Sequence, residues 1–325
     1  MGEVKPFLES VIGPGGDDTP LEERTSIFRK AGDLLANKWR DKINAATMLN
    51  QSKNVYQAEI DSACELIDFF NFNASFAENI NNKQDLISPT GMKNYLEYRS
   101  LEGFVFAIAP FNFTSIAGNL PAAPALMGNV SLWKPASSAI LACYYLMEMF
   151  QEAGLPDGVI NFLPGDGKIV GDPILNNSNL AGVHFTGSTK TFNHIWKTIG
   201  SNIDNYKTYP RIVGETGGKD FCLAHSSSDE EVLVTAMVRG AFEYQGQKCS
   251  AMSRAYIPSS IWPSVEKKLL AELSTIKIGS PRDCSNFMNA VIDKSAFNSI
   301  TNYIDYAKES NEAKIIFGGG YDDSK

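Results

Sequence analysis

An α/β fold built on a mostly parallel sheet is what this sequence predicts, and three observations carry the expectation. From Gly103 onward, short apolar runs alternate with helical segments at the spacing of βαβ units. The same alternation restarts after Gly217-Gly218. The residues ahead of Gly103 have a helical texture, with apolar side chains recurring at three- and four-residue intervals. At 325 residues the chain exceeds what one compact core commonly holds. It therefore reads as two domains: N-terminal helices and a parallel-sheet domain over 1–217, and a second, partial α/β domain over 218–325.

Thr19-Pro20-Leu21-Glu22-Glu23 offers a capped helix start with acidic residues in the first turn, followed by Ile27, Ala31, Leu34, Leu35 and Trp39 at helical spacing. A second amphipathic stretch runs from Val55 to Phe76, with Ile60, Cys64, Ile67, Phe70 and Ala74 on one face and a break at Asn79-Ile-Asn-Asn-Lys83. Strands are expected at Phe104–Ala109, Val130–Trp133, Val159–Leu163, Gly182–Thr186 and Tyr209–Gly214. The helix Ser138–Glu152 has a Ser N-cap, a Gly154 stop and Pro156 beyond it. Past the diglycine, which reads as a hinge, come strand Asp220–Ala224, helix Asp229–Tyr244, strand Ala255–Pro258, helices Trp262–Thr275 and Ser295–Lys308, and strand Lys314–Phe317.

A hydrophobic fraction of 43% is ordinary for a globular chain. The net charge of −8 argues against nucleic acid or an anionic membrane as partner. No apolar run approaches the roughly 20 residues that span a bilayer, and the first residues lack the layout of a secretory signal or transit peptide. The five cysteines form no CxxC pair and no close spacing with the three histidines, so neither a disulfide framework nor a metal site is expected. One of these free thiols is open to a catalytic role.

Cys249 lies in Tyr244-Gln-Gly-Gln-Lys-Cys-Ser-Ala, where Gly246 and the polar neighbours indicate a turn. Read singly it is as well explained as a core thiol, but a nucleophilic cysteine needs an accessible, polar setting of this kind. Asn112 in Pro110-Phe-Asn-Phe-Thr114 follows a strand, where a side-chain amide either makes a turn or donates to a developing oxyanion. Lys134 in Leu132-Trp-Lys-Pro135 emerges at the same sheet edge, as a solvated charge or a hand for ribose hydroxyls or phosphate. Val183-His-Phe-Thr-Gly-Ser-Thr189 is strand, glycine turn and helix start, an anion site by its free N–H groups, or ordinary capping. Glu215 in Gly214-Glu-Thr-Gly-Gly-Lys219 is a carboxylate able to activate water. His184, within a strand, reads as structural; His194 sits mid-helix and His225 at a strand end, and a Cys–His pairing with His225 has no motif behind it.

Taken together, Phe-Asn-Phe around Asn112, Trp-Lys-Pro around Lys134, Phe-Thr-Gly-Ser at 185–188, Glu-Thr-Gly-Gly-Lys at 215–219 and Gly-Gln-Lys-Cys at 246–249 resemble the aldehyde dehydrogenase superfamily in order and spacing. The resemblance runs from about Leu21 onward. Asn-Phe-Thr, Gln-Lys-Cys-Ser-Ala and the Gln57-Ala-Glu-Ile-Asp…Phe69-Phe-Asn-Phe-Asn-Ala stretch are most similar to its Δ1-pyrroline-5-carboxylate (glutamate-γ-semialdehyde) dehydrogenase branch.

That resemblance implies an NAD-dependent oxidation of L-glutamate γ-semialdehyde to L-glutamate in proline catabolism. Cys249 would be the nucleophile, Glu215 the general base and Asn112, with the Cys249 backbone N–H, the oxyanion donor. NAD would lie along Ala109, Lys134, Gly187, Ser188, Thr189, Lys190 and Thr191, and the small aldehyde substrate against Ser250, Phe113 and Glu65. It further implies homo-oligomers for full-length relatives and a mitochondrial matrix location, with the cytosol as alternative. Family members carry a further C-terminal region, including a glutamate for the nicotinamide ribose, a substrate-carboxylate loop and an oligomerisation strand, so the expectation is a chain truncated at its C-terminus. A catalytically silent fragment or paralogue that binds nucleotide or partner subunits, and a Cys249-Glu215 thiol hydrolase, stay open.

Overall fold

The computed structural model describes residues 19–323, in two compact units. The first comprises 19–50 and Tyr56–Thr216, the second Gln51–Val55 and 217–323. The short segment 51–55 belongs with the second unit although its flanks belong with the first, an assignment that no periodicity signals.

Helices α1 (Leu21–Ala36), α2 (Arg40–Gln51), α3 (Val55–Ala58) and α4 (Glu65–Asn82) precede the sheet, with Gln51 and Val55 at the ends of α2 and α3 counted in the second unit. The start of α1 is capped differently from expectation. The cap position is Pro20, which has no side-chain acceptor, and its carbonyl takes the N–H groups of Glu23 and Arg24. The expected apolar face of the second stretch is also corrected. A π turn, Glu59–Cys64, joins α3 to α4, and its wider winding rotates what precedes it. Ile60 therefore points to solvent at 54% exposure, while Ala63, Leu66, Phe70, Ala74 and Ala77 form the buried stripe. The turn also sets Glu59 against the Arg40 guanidinium and the Asn44 amide, and that pairing holds the Glu59 carboxyl below its ordinary range.

The sheet follows: β1 (Phe104–Ile108), α5 (Thr114–Leu126), β2 (Val130–Lys134), α6 (Ile140–Ala153), β3 (Ile160–Phe162), α7 (Gly167–Leu175), β4 (Leu180–Gly187), α8 (Thr189–Ser201) and β5 (Arg211–Thr216). The five strands are all parallel in the order β3-β2-β1-β4-β5. Parallel strands need long crossovers, and the helices that make them cover both faces. Trp133, Ala107 and Ala109 pack with α1, α4, α5 and α6 on one face; Phe104, Phe106, Leu132, Val183 and Phe185 pack with α7 and α8 on the other. The Ser138 cap expected for α6 is replaced by a distant one. Residues 137–139 form a 3₁₀ turn, and Asn50 of α2 donates to Ser138 O while accepting from Leu141 N.

The second unit holds β6 (Asp220–Leu223), α9 (Glu230–Phe242), β7 (Met252–Tyr256), α10 (Trp262–Leu273) and α11 (Lys294–Glu309). β6 and β7 pair in parallel, and α9 packs on α10 through Leu233, Val234, Met237, Val265 and Leu269. α9 stops at Phe242, short of the expected Tyr244, because the chain turns left-handed there. The strand expected at Lys314–Phe317 does not form: Ile315, Ile316 and Phe317 are 38–47% exposed, and among the described residues nothing pairs with that run. An apolar run becomes a strand only when a ladder partner takes its N–H and C=O groups.

The first unit's core centres on Phe28, Phe70 and Phe150, whose ring centroids lie 5.7–6.1 Å apart. Phe70 is 1% exposed. Phe70→Ala is expected to cost roughly 3–5 kcal/mol, read as a lowered urea midpoint of this unit; a loss below about 1 kcal/mol, the range of ordinary surface changes, would contradict the packing described.

Candidate active site

Strand order decides where a ligand can sit on the first unit. The chain moves outward from β1 through β2 to β3, then returns to β4 on the other side of β1. The helices after β1 and β4 consequently leave on opposite faces, opening a crevice at the carboxyl ends of those two strands, the usual ligand position in open parallel sheets. Ala109 and Asn112 follow β1, Lys134 ends β2, and Gly187 ends β4 ahead of Ser188. Five separate sequence positions thus reach one sheet edge.

Ala109 is buried, and its N–H donates to Lys134 O at 3.0 Å, extending the β1–β2 ladder past the strand end. Asn112 is half-buried in the connection to α5, and Phe113, 9% exposed, is the cap residue of α5. Lys134 is not the solvated charge that stood as one reading. It is 7% exposed, and its Nζ donates to Pro135 O at 2.8 Å. Burial pushes its pKa below the usual lysine value, and the nearby Asp166 carboxylate works against that shift. Asp166 was missed from sequence. It caps α7 by accepting from the N–H groups of Lys168 and Ile169, which hold its carboxyl below the ordinary range. The Asp-Gly pair ahead of an apolar helical run was the available signal.

Ser188 caps α8, its Oγ accepting from Thr191 N at 3.2 Å. The N–H groups of Thr189 and Lys190 have no acceptor within a helix by construction, and 188–191 are exposed. Exposed N–H groups, the helix dipole and a buried lysine along one edge suit an anionic ligand rich in hydroxyls, such as a dinucleotide. Glu215 stands exposed on β5, in register with Thr186 of β4. Glu65 begins α4 and accepts from Ser115 Oγ, in the first turn of α5, at 2.6 Å.

The second unit carries Cys249 and Ser250. Cys249 is partly buried in a turn after α9, and Ser250 is exposed. Gly218 passes close to this turn: a Cβ there would lie 3.0 Å from Cys249 O, a tight contact that glycine avoids. The other thiols fit nucleophilic work poorly where their chemistry is resolved. Burial pushes Cys143 up to about 12, and burial with the Glu59 hydrogen bond raises Cys64.

Residues 14–325 match the model of the aldehyde dehydrogenase family. The chain belongs to the aldehyde dehydrogenase family. It is 53% identical over 310 residues to a mitochondrial Δ1-pyrroline-5-carboxylate dehydrogenase of Dictyostelium discoideum, covering 95% of this chain and 56% of that protein. Against the human protein of the same name it is 49% identical, covering 95% and 55%. The crystal structure of the Mycobacterium tuberculosis Δ-pyrroline-5-carboxylate dehydrogenase bound with NAD superposes with a TM-score of 0.93 at 52% identity, over 99% of this chain and 59% of that one. The chain thus spans little more than half the length of these relatives. The recognised family and the parallel-sheet fold stand as expected.

His184 is structural, as read from sequence. Pro124 has no N–H to donate one turn back, and the Leu120 carbonyl left over accepts from His184 Nδ1 at 2.9 Å. Burial lowers the imidazole pKa and that bond only partly offsets it. Above about pH 6.5 the ring is neutral in both states and the stability is fully present. As pH falls through the unfolded value towards the depressed native one, the unfolded chain gains a proton first and stability declines. The urea midpoint should drop more between about pH 7.5 and about pH 5 in wild type than in His184→Gln; equal drops would contradict the neutral, buried ring.

Proposed function

We propose that this chain carries the nucleophile, base, oxyanion donor and part of the cofactor cradle for NAD-dependent oxidation of L-glutamate γ-semialdehyde, the open form of Δ1-pyrroline-5-carboxylate, to L-glutamate. The observation that carries the reading is the convergence of Ala109, Asn112, Lys134 and Gly187-Ser188 on one crevice edge. The identity to named Δ1-pyrroline-5-carboxylate dehydrogenases supports the substrate, and the NAD-bound relative supports the cofactor. The mitochondrial relatives support a matrix location, and no described helix is long and apolar enough to cross a membrane.

In this reading Cys249 Sγ attacks the aldehyde carbon, and the oxygen takes up the negative charge. Asn112 Nδ2 and the Cys249 backbone N–H donate to that oxyanion, the kind of fixed dipole that lowers acyl-transfer barriers most. When bound, NAD supplies the two-electron acceptor for the thiohemiacetal carbon. Cys249 then holds the acyl group as a thioester. Glu215 takes a proton from the water that attacks it, glutamate departs and the thiolate is restored. Ser250, Phe113 and Glu65 are the proposed substrate-side residues.

Lys134 would hold the adenosine ribose and Gly187 to Thr191 the pyrophosphate. Ala109 has its N–H committed to Lys134 O, so a main-chain contact from Ala109 to the cofactor must come from its carbonyl.

The reading is tested with pyrroline-5-carboxylate and NAD. Asn112→Ala should lower turnover by roughly 10²–10³, and an unchanged rate would remove Asn112 from the site. Glu215→Gln should give one equivalent of NADH and then nearly stop, with an acyl group on Cys249 found by mass spectrometry; continued turnover would remove Glu215 as base. If the wild-type chain makes no NADH yet hydrolyses an activated ester, and Cys249→Ser abolishes that hydrolysis, the thiol-hydrolase reading is favoured; no NADH from a version extended by the C-terminal region of its relatives as well would overturn the dehydrogenase reading. Lys134→Ala should weaken NAD binding about tenfold, the worth of one charge-assisted hydrogen bond, measured by fluorescence titration; unchanged affinity would place the cofactor elsewhere.

A further inference from the structure

Three consecutive residues ahead of Cys249 are left-handed: Tyr244 at φ 52°, Gln245 at φ 56° and Gly246 at φ 69°. Glycine adopts that region freely, but a tyrosine and a glutamine there are strained. Such a conformation persists only where its surroundings over-determine it. Here they do so with side-chain amides. Gln245 Nε2 donates to Ala290 O at 2.7 Å, and Gln245 Oε1 accepts from Asn289 N at 3.1 Å. Gln247 Oε1 accepts from Ile292 N at 3.0 Å. Two glutamines from the loop of Cys249 are thereby tied to the backbone of one segment, 289–292.

That segment is anchored in turn. Asn289, 3% exposed, donates from Nδ2 to Ser52 O, and Asn54 Nδ2 donates to Phe287 O. The other end of the loop is fixed by Tyr244, fully buried, whose hydroxyl donates to Gln51 O at 2.9 Å beneath the Lys53 ammonium, 4.3 Å from the ring centre. Segment 51–55 thus holds both the loop and the strip to which the loop is tied.

We infer that Gln245 and Gln247 are positioning residues: they clamp residues 244–249 to the 289–292 backbone and so hold the Cys249 thiol in its reactive setting. The inference deepens the reading above and rests on Cys249 being the nucleophile. Gln245 serves by bonding pattern as well as by size. Its amide gives one donor and one acceptor to adjacent backbone groups, a match that the isosteric glutamate at neutral pH cannot reproduce, since it offers no donor to Ala290 O.

The test uses the full 325-residue chain as wild type, Gln245→Ala, Gln245→Glu and Gln247→Ala. Hydrogen exchange followed by peptide mass spectrometry reads the Asn289 and Ile292 amides, and iodoacetamide alkylation with site-resolved mass spectrometry reads Cys249 against exposed Cys284. In both Gln245 variants, exchange at 289–292 should rise and Cys249 alkylation should fall about fivefold, the size of one net hydrogen bond expressed as a population. Gln247→Ala should act in the same direction, with Cys284 alkylation and exchange in the first unit's sheet unchanged. Unaltered exchange at 289–292, or a Cys249 rate that is unchanged or raised, overturns the clamp. If Gln245→Ala fails to fold, the isosteric Gln245→Glu decides by the same two readouts. A wild-type Cys249 no more reactive than Cys284 overturns the nucleophile reading itself, a result distinct from a reactive Cys249 indifferent to Gln245.

Discussion

A parallel sheet cannot face water, and the first unit follows from that constraint. Every strand from β1 to β5 must be entered from the same end, so every connection is a crossover and every carboxyl end lies on one edge. Covering both faces requires helices leaving in both directions, which α5 and α6 do on one side and α7 and α8 on the other. The crevice at the ends of β1 and β4 is the by-product of that arrangement, and the chain places its Asn, Lys and Gly-Ser groups there. The stable core and the candidate cofactor edge have one physical cause.

Polar groups inside this framework are placed by satisfaction as much as by function. Pro124 leaves the Leu120 carbonyl without a helical donor, and His184 supplies one from the neighbouring strand. Asn50 closes the start of α6 although it lies 91 residues away from Leu141. Lys134 is kept charged-capable in a buried position by its own neighbour's carbonyl and the Asp166 cap. The first two are long-range answers to local backbone deficits. In the second unit the same logic reaches the loop of Cys249: a left-handed turn at Tyr244 and Gln245 stands because hydrogen bonds on both sides hold it.

The helix face of Val55–Phe76 shows how a local rule fails. Counting by 3.6 residues put Ile60 and Cys64 with Phe70, which holds only if the helix is regular. The π turn at Glu59–Cys64 breaks that count, and the Arg40–Glu59–Asn44 cluster it accommodates is assembled from two helices. Lys314–Phe317 fails for the complementary reason. Its apolar run was legible, but pairing depends on a partner strand, and the run alone says nothing about one.

The sequence alone determined the parallel α/β class, the strands of the first sheet, the main elements of the second unit up to residue 308, and the candidate site residues, because periodicity, turn residues and short motifs are local properties. Cys249, Asn112, Glu215 and Lys134 were all readable as candidates from their neighbours. The tertiary structure decided what depends on distant partners: that Lys134 is buried, that Asp166 stands beside it, that His184 serves a proline-broken helix, and that Gln245 and Gln247 tie the Cys249 loop to residues 289–292. A hydrogen bond across 45 residues leaves no trace in local periodicity; only the folded backbone brings its donor and acceptor together.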